Sequence, residues 1–330
     1  MTTTPLQDEV AASPAAPVAP APVAPVAPWH PSQPHHELAA DVRWWMGAPI
    51  TFGLFGRLAL DQVAYREVAA AVDATGRFEE NFTNRGIRSY LWGPLMLFGD
   101  DADRRATIER LKMMHGQVKG KGRGHFDGER FSALNPAVWK WVGTSSLLVF
   151  YTGYVTTYPH LSAEEREVVY RTARWMSEMD LPSDASSVPR TVAEMEAYYE
   201  QVAAEHLADN EFLQWANRSF GEMPVPTLIG PRWLHLLITP AWRLLTPALS
   251  RPARICAEAA AHPRMRELLG IEWTPAKQRE FRLWTALIRG ARRLLPKWAV
   301  LEPMAYNRYR YERLRSAYAK PQLTSFAPPK

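Results

Sequence analysis

The chain of 330 residues contains a single cysteine, Cys256. An intrachain disulfide is therefore excluded, as is any thiolate cluster for zinc or an iron–sulfur centre, and a reducing interior is the natural setting. No stretch reaches the ~18 consecutive apolar residues of a membrane-spanning helix. The nearest, Leu147 to Tyr158, is shorter and carries threonines. Excess charge of one sign is scarce too. The 39 basic and 34 acidic residues leave +5, too thin to point to nucleic acid without a concentrated patch. The first residues, Met1 to Glu9, have no basic segment followed by an apolar core, so no secretory leader is expected. Strand-like alternation of apolar and polar residues is also missing. These absences leave a soluble, cytoplasmic, helical protein as the expectation.

With 47% hydrophobic and 22% charged residues, the chain has ordinary globular usage and can bury a substantial core. Residues Ala11 to Pro34 depart from it. They repeat Ala-Pro-Val units, which favour extended polyproline II and lack an amide donor at every proline. This predicts a disordered arm over 1–36, with His30, His35 and His36 as incidental histidines. From Glu37 onward, apolar residues recur at i, i+3, i+4 between short Pro/Gly breaks. The spacing predicts helices at roughly 37–46, 56–75, 84–98, 101–119, 135–157, 162–180, 191–208, 233–248, 251–268, 274–294 and 302–318. Ser162 to Glu165 and Thr191 to Glu194 read as capping boxes, and Asn135-Pro136 and Thr274-Pro275 as caps followed by a proline at the first helical position. No internal boundary interrupts the pattern. The fold class is thus all-α, one helical-bundle domain over 37–318 with a tail at 319–330.

Four places carry groups with chemical potential. His115 ends a helical run in methionine-rich surroundings. It reads either as a hydrogen-bonded core histidine or as the single axial imidazole that a haem iron takes. Arg85, Arg88 and Ser89 stand at i, i+3 and i+4, so they project from one side of a helix. They are either solvated or an anion clamp. Gln62, Tyr65 and Glu67 lie about a turn apart and either face solvent or line a cavity. The Gly- and Lys-rich segment Gly116 to Gly124 has no phosphate-loop spacing and reads as a mobile surface loop. Further on, Trp139 and Trp141 open a nearly uncharged helix expected at the centre of the bundle. Late in the chain, arginines at 279, 282, 289, 292 and 293 alternate with apolar residues. They form either a solvated basic face or a contact for anionic lipid, which would make the protein a membrane-surface adaptor.

Taken in order, these segments resemble the haem-containing oxygenase family that includes bacterial rubber oxygenase (latex-clearing protein) and the fungal mycophenolic-acid oxygenase MpaB. The resemblance covers about residues 45 to 318. It rests on Arg85-Gly-Ile-Arg88-Ser89, on Arg110 to Gly120 with its R-x-x-x-x-H-x-x-V-x-G spacing, and on Phe131-Ser-Ala-Leu-Asn135-Pro136. Leu161 to Arg166, Pro189-Arg-Thr191 and Leu269 to Pro275 add to it. It implies a bundle enclosing a haem b pocket, with His115 as the proximal iron ligand. Arg85, Arg88 and Ser89 would lie on the distal side, Arg85 and Arg88 as cofactor-binding cations and the set as catalytic groups. The implied reaction is dioxygen activation to oxidise or cleave an apolar, unsaturated or isoprenoid small molecule.

The sequence departs from its relatives at two points. Gln62-Val-Ala-Tyr65-Arg stands where they often read Q-V-A-H-P, and Trp141-Val-Gly143-Thr144 where they often read W-V-H-[AS]-T. Tyr65 and Glu67 are the remaining candidates for catalytic side chains there. The same departures admit a non-catalytic haem- or lipid-binding protein as the alternative.

Overall fold

A computed structural model describes residues 27–75, 82–177, 187–221, 223–226 and 230–324. Its elements are helices α1 (His36–Met46), α2 (Pro49–Phe55), α3 (Leu60–Ala64), α4 (Arg66–Ala74), α5 (Phe82–Phe98) and α6 (Asp101–Gly116), then a hairpin of β1 (Lys119–Lys121) and β2 (Arg130–Ser132). After the hairpin come α7 (Pro136–Thr157), α8 (Ala163–Ser177), α9 (Val192–Glu205), α10 (Glu211–Ser219) and α11 (Arg232–Ala260). Four more helices close the chain: α12 (Pro263–Leu268), α13 (Pro275–Leu294), α14 (Lys297–Val300) and α15 (Pro303–Thr324). The all-α expectation holds.

Helix α7 is central because its sequence allows nothing else: from Trp141 to Thr157 it carries no charge, and its buried residues occur on all sides. It packs against α1, α2, α3, α8, α11 and α13. Its hydroxyls turn inward onto the helix itself, Thr144 to the Lys140 carbonyl and Ser145 to that of Trp141, so they can be buried without stranding a polar atom. Asn135 caps its start by accepting from the Ala137 amide. Trp45 and Trp141 are fully buried in the same core.

Several boundaries differ from those expected. The predicted helix over 56–75 is a 3₁₀ turn (Gly56–Ala59) followed by α3 and α4, interrupted at Tyr65, whose ψ of 115° is extended. A tertiary contact sets the break. Tyr65 pairs with Leu207, while the Ala64 and Val63 carbonyls, freed there, accept from the Ala208 amide and the Asn210 side chain. Helix α11 runs unbroken through Pro240, Pro247 and Pro252 where two helices were expected. The hydroxyls of Thr239 and Thr246, one residue before the first two prolines, bond back to the carbonyls of His235 and Trp242. Helices α2 and α10 were not anticipated, although Asn210 caps α10 by accepting from Leu213 N, an ordinary N-terminal signal.

The arm expected over 1–36 lies mostly outside the described residues, but its last part is fastened. Trp29 meets Trp175 edge-on at 4.5 Å, and the guanidinium of Arg43 lies over the rings of both Trp29 and Trp44. Arg43 is buried and takes both carboxylate oxygens of Glu312, at 2.6 and 2.7 Å, tying α15 to α1. Helix α15 continues to Thr324, into the segment expected to be a tail.

Candidate functional site

Helices α5 and α6 pack as an antiparallel pair about the turn at Gly99 and Asp100. Asp100 caps α6 with a full capping box, closed by Asp103. Arg85 and His115 lie equally far from that turn in the two directions, so the pairing brings them level. The result is electrostatic: the Arg85 guanidinium adds to the effect of burial in pushing the His115 pKa below the usual histidine range. Its hydrogen bond to Leu111 pulls the other way and does not prevail. His115 is therefore neutral near pH 7.

The geometry of that imidazole fixes its tautomer. Nδ1 lies 2.8 Å from the Leu111 carbonyl oxygen, one helical turn back. A carbonyl only accepts, so Nδ1 carries the proton and Nε2 keeps its lone pair. The ring is half-buried and meets Trp139 edge-on at 5.7 Å. The i−4 carbonyl contact follows from helical geometry alone. The Trp139 contact does not, because it needs the β-hairpin.

The hairpin corrects the reading of Gly116 to Gly124 as a mobile loop. Lys119, Gly120 and Lys121 pair with Ser132, Phe131 and Arg130, and the Val118 carbonyl accepts from Ala133 N at 2.9 Å. The end of α6 is thereby clamped to the start of α7. Gly122 is required: a Cβ there would lie 2.1 Å from the Phe126 carbonyl oxygen.

Arg85, Arg88 and Ser89 are exposed side chains of α5, at the spacing anticipated. Gln62 faces inward and donates to Ser146 of α7 at 3.0 Å. Tyr65 is half-buried, stacked on His206 at 4.7 Å and 6.5 Å from Trp141; burial and the charges of Glu67 and Glu129 hold its phenol protonated. Nearby, the Nε1 of fully buried Trp141 has no hydrogen-bond partner among the described residues. Glu67 accepts from the Ser132 amide and the Asn135 side chain, bracing α4 against the hairpin and the α7 cap. Replacing Asn135 by alanine removes both the cap and this brace. An expected loss of about 1–2 kcal/mol in urea unfolding measures the pair.

Gly143 explains what stands in place of a side chain there. A Cβ at 143 would meet Val188 Cγ2 at 3.1 Å, so Val188 takes up the space beside the position. Away from this region, a cleft lies between the hairpin tip and α10, spanned by the His125–Glu211 pair at 2.6 Å. Among the described residues, no cluster of three or more His, Cys, Asp or Glu could hold a metal ion. Among the same residues, no helix is long and apolar enough to cross a membrane.

Residues 42–290 match the family model described as ER-bound oxygenase mpaB/B′/rubber oxygenase, catalytic domain. The chain belongs to this family. The match runs from within α1 to near the end of α13 and leaves out α14 and α15. It makes the domain an oxygenase catalytic domain, hence that of an enzyme acting with dioxygen on a small molecule. No curated protein and no solved structure matches the chain.

Proposed function

We propose that this MpaB/rubber-oxygenase domain is a haem b-dependent oxygenase of the cytoplasm, acting on an apolar, unsaturated small molecule. The observation that carries the reading is the state of His115: neutral, its Nδ1 proton committed to Leu111, its Nε2 lone pair free. With that lone pair His115 would hold the haem iron.

When bound, the haem would supply the dioxygen chemistry that no side chain offers. The chain's own residues have simpler tasks. Leu111 holds the His115 ring in one tautomer and one orientation. Arg85 and Arg88 would provide positive charge for the carboxylates of the bound group. Ser89 and Arg88 would offer hydrogen bonds to dioxygen held there. Tyr65 keeps its proton and is a donor at the start of α4. Glu67, with both oxygens engaged by Ser132 and Asn135, serves as a brace rather than a base. Added hemin is expected to give the purified protein a Soret band at one equivalent, and a sample that stays spectrally inert overturns the proposal.

The packing of Val188 beside Gly143 favours a second reading, a haem- or lipid-binding protein of the same fold without turnover. Ferrous protein that binds CO yet consumes no oxygen with any alkene or isoprenoid selects that reading.

A further inference from the structure

Helix α13 sorts its arginines into two kinds. Arg289 donates to the Thr157 carbonyl at 2.6 Å and Arg292 to Asp41 at 2.8 Å, so these two fasten α13 to its neighbours. Arg279, Arg282 and Arg293 are exposed, and their guanidiniums have no ion pair or hydrogen bond among the described residues. The apolar residues sort likewise. Phe281 and Ile288 join the core on the side packed against α7 and α11. Leu283, Leu287 and Leu294, at i, i+4 and i+11, share the opposite face and are each more than half exposed, Leu294 to 81%. Trp298 on α14 extends the row and is 67% exposed. The one carboxylate of α13, Glu280, is already held by Arg251 of α11 at 2.7 Å. The outer face is thus leucine, tryptophan and uncommitted arginine, with no acid left unpaired on it.

From this we infer that the outer face of α13 and α14 docks onto an anionic lipid bilayer, lying in the plane of the interface. Charge selects the occupant. A second copy of the chain would set arginine against arginine across an isologous contact, which is repulsive. A phosphate-rich surface neutralises the three guanidiniums while the leucines and Trp298 enter the acyl boundary. Helix α11, joined to α13 by the Arg251–Glu280 pair, carries an exposed row of its own, Trp233, Leu237 and Leu244. The inference is independent of the haem proposal and stands or falls separately.

Cosedimentation of the full chain with vesicles tests it. At physiological salt, binding is expected to vesicles of phosphatidylcholine containing roughly a third phosphatidylglycerol, and not to phosphatidylcholine alone. The combined variant Arg279→Gln, Arg282→Gln, Arg293→Gln should weaken partitioning on the order of 100-fold. The combined variant Leu283→Asn, Leu287→Asn, Leu294→Asn keeps every charge and should also lose most binding. All six positions are exposed, and unchanged circular dichroism confirms that both variants fold. Wild-type protein that ignores anionic vesicles overturns the inference. So do leucine variants that bind as wild type, which would mark diffuse attraction of a basic protein. A wild-type dimer that the leucine variant converts to monomer also overturns it, in favour of a second copy.

Discussion

His115→Ala is expected to lower hemin affinity by at least roughly 100-fold, since loss of a mere supporting partner already costs 10–100-fold at metal sites. The Soret band of the wild-type complex should be lost or shifted, and His115→Gly with added imidazole should recover it. The rescue separates a missing ligand from a damaged fold. Affinity in the wild type should hold steady below pH 6.5, because burial and Arg85 keep the ring neutral to lower pH than a free histidine. On further acidification, protonation of Nε2 competes with iron and affinity falls. A His115→Ala protein with wild-type spectrum and affinity sinks the assignment.

Asp61→Asn is expected to change the pH dependence of stability strongly. Asp61 is buried in α3 and accepts a 2.5 Å hydrogen bond from the Tyr199 hydroxyl of α9. Burial pushes its carboxyl up to about 7, against the opposing pull of that bond. The folded pKa therefore lies above the unfolded one. Below about pH 4 both states hold the proton and the group costs nothing. Between pH 4 and 7 only the folded state keeps it, so stability falls as pH rises and levels off above 7. A displacement of about three units corresponds to about 4 kcal/mol across that window. Asparagine offers Tyr199 the same acceptor without a charge. Urea unfolding of the two proteins should therefore agree near pH 4 and diverge by up to that amount, in favour of asparagine, at pH 8. Parallel curves across the range would show that the carboxyl titrates normally.

The features legible in the sequence are those set by neighbours within one turn. Ser162 and Glu165 exchange the two hydrogen bonds of a capping box, and Thr191, Asn135 and Thr274 each cap the helix that follows. The uncharged run after Trp141 could only be a buried helix. The helical placement of Arg85, Arg88, Ser89 and His115 was likewise readable, and so was the family, since both depend on residue order alone.

Tertiary pairing decided the rest. Tyr65 breaks a helix that its own sequence would continue, because Leu207, Ala208 and Asn210 take the hydrogen bonds of that turn. Three residues of the glycine- and lysine-rich segment and three more at Arg130–Ser132 become strands because each supplies the other's ladder, and only then does Trp139 reach His115. Glu67, a candidate catalytic side chain by sequence, accepts from two donors elsewhere in the chain, Ser132 and Asn135. The sequence determined an all-α oxygenase domain and the helical position of the His115 imidazole. The structure decided which polar groups near it are free, because availability depends on partners distant in the chain, and no local pattern records them.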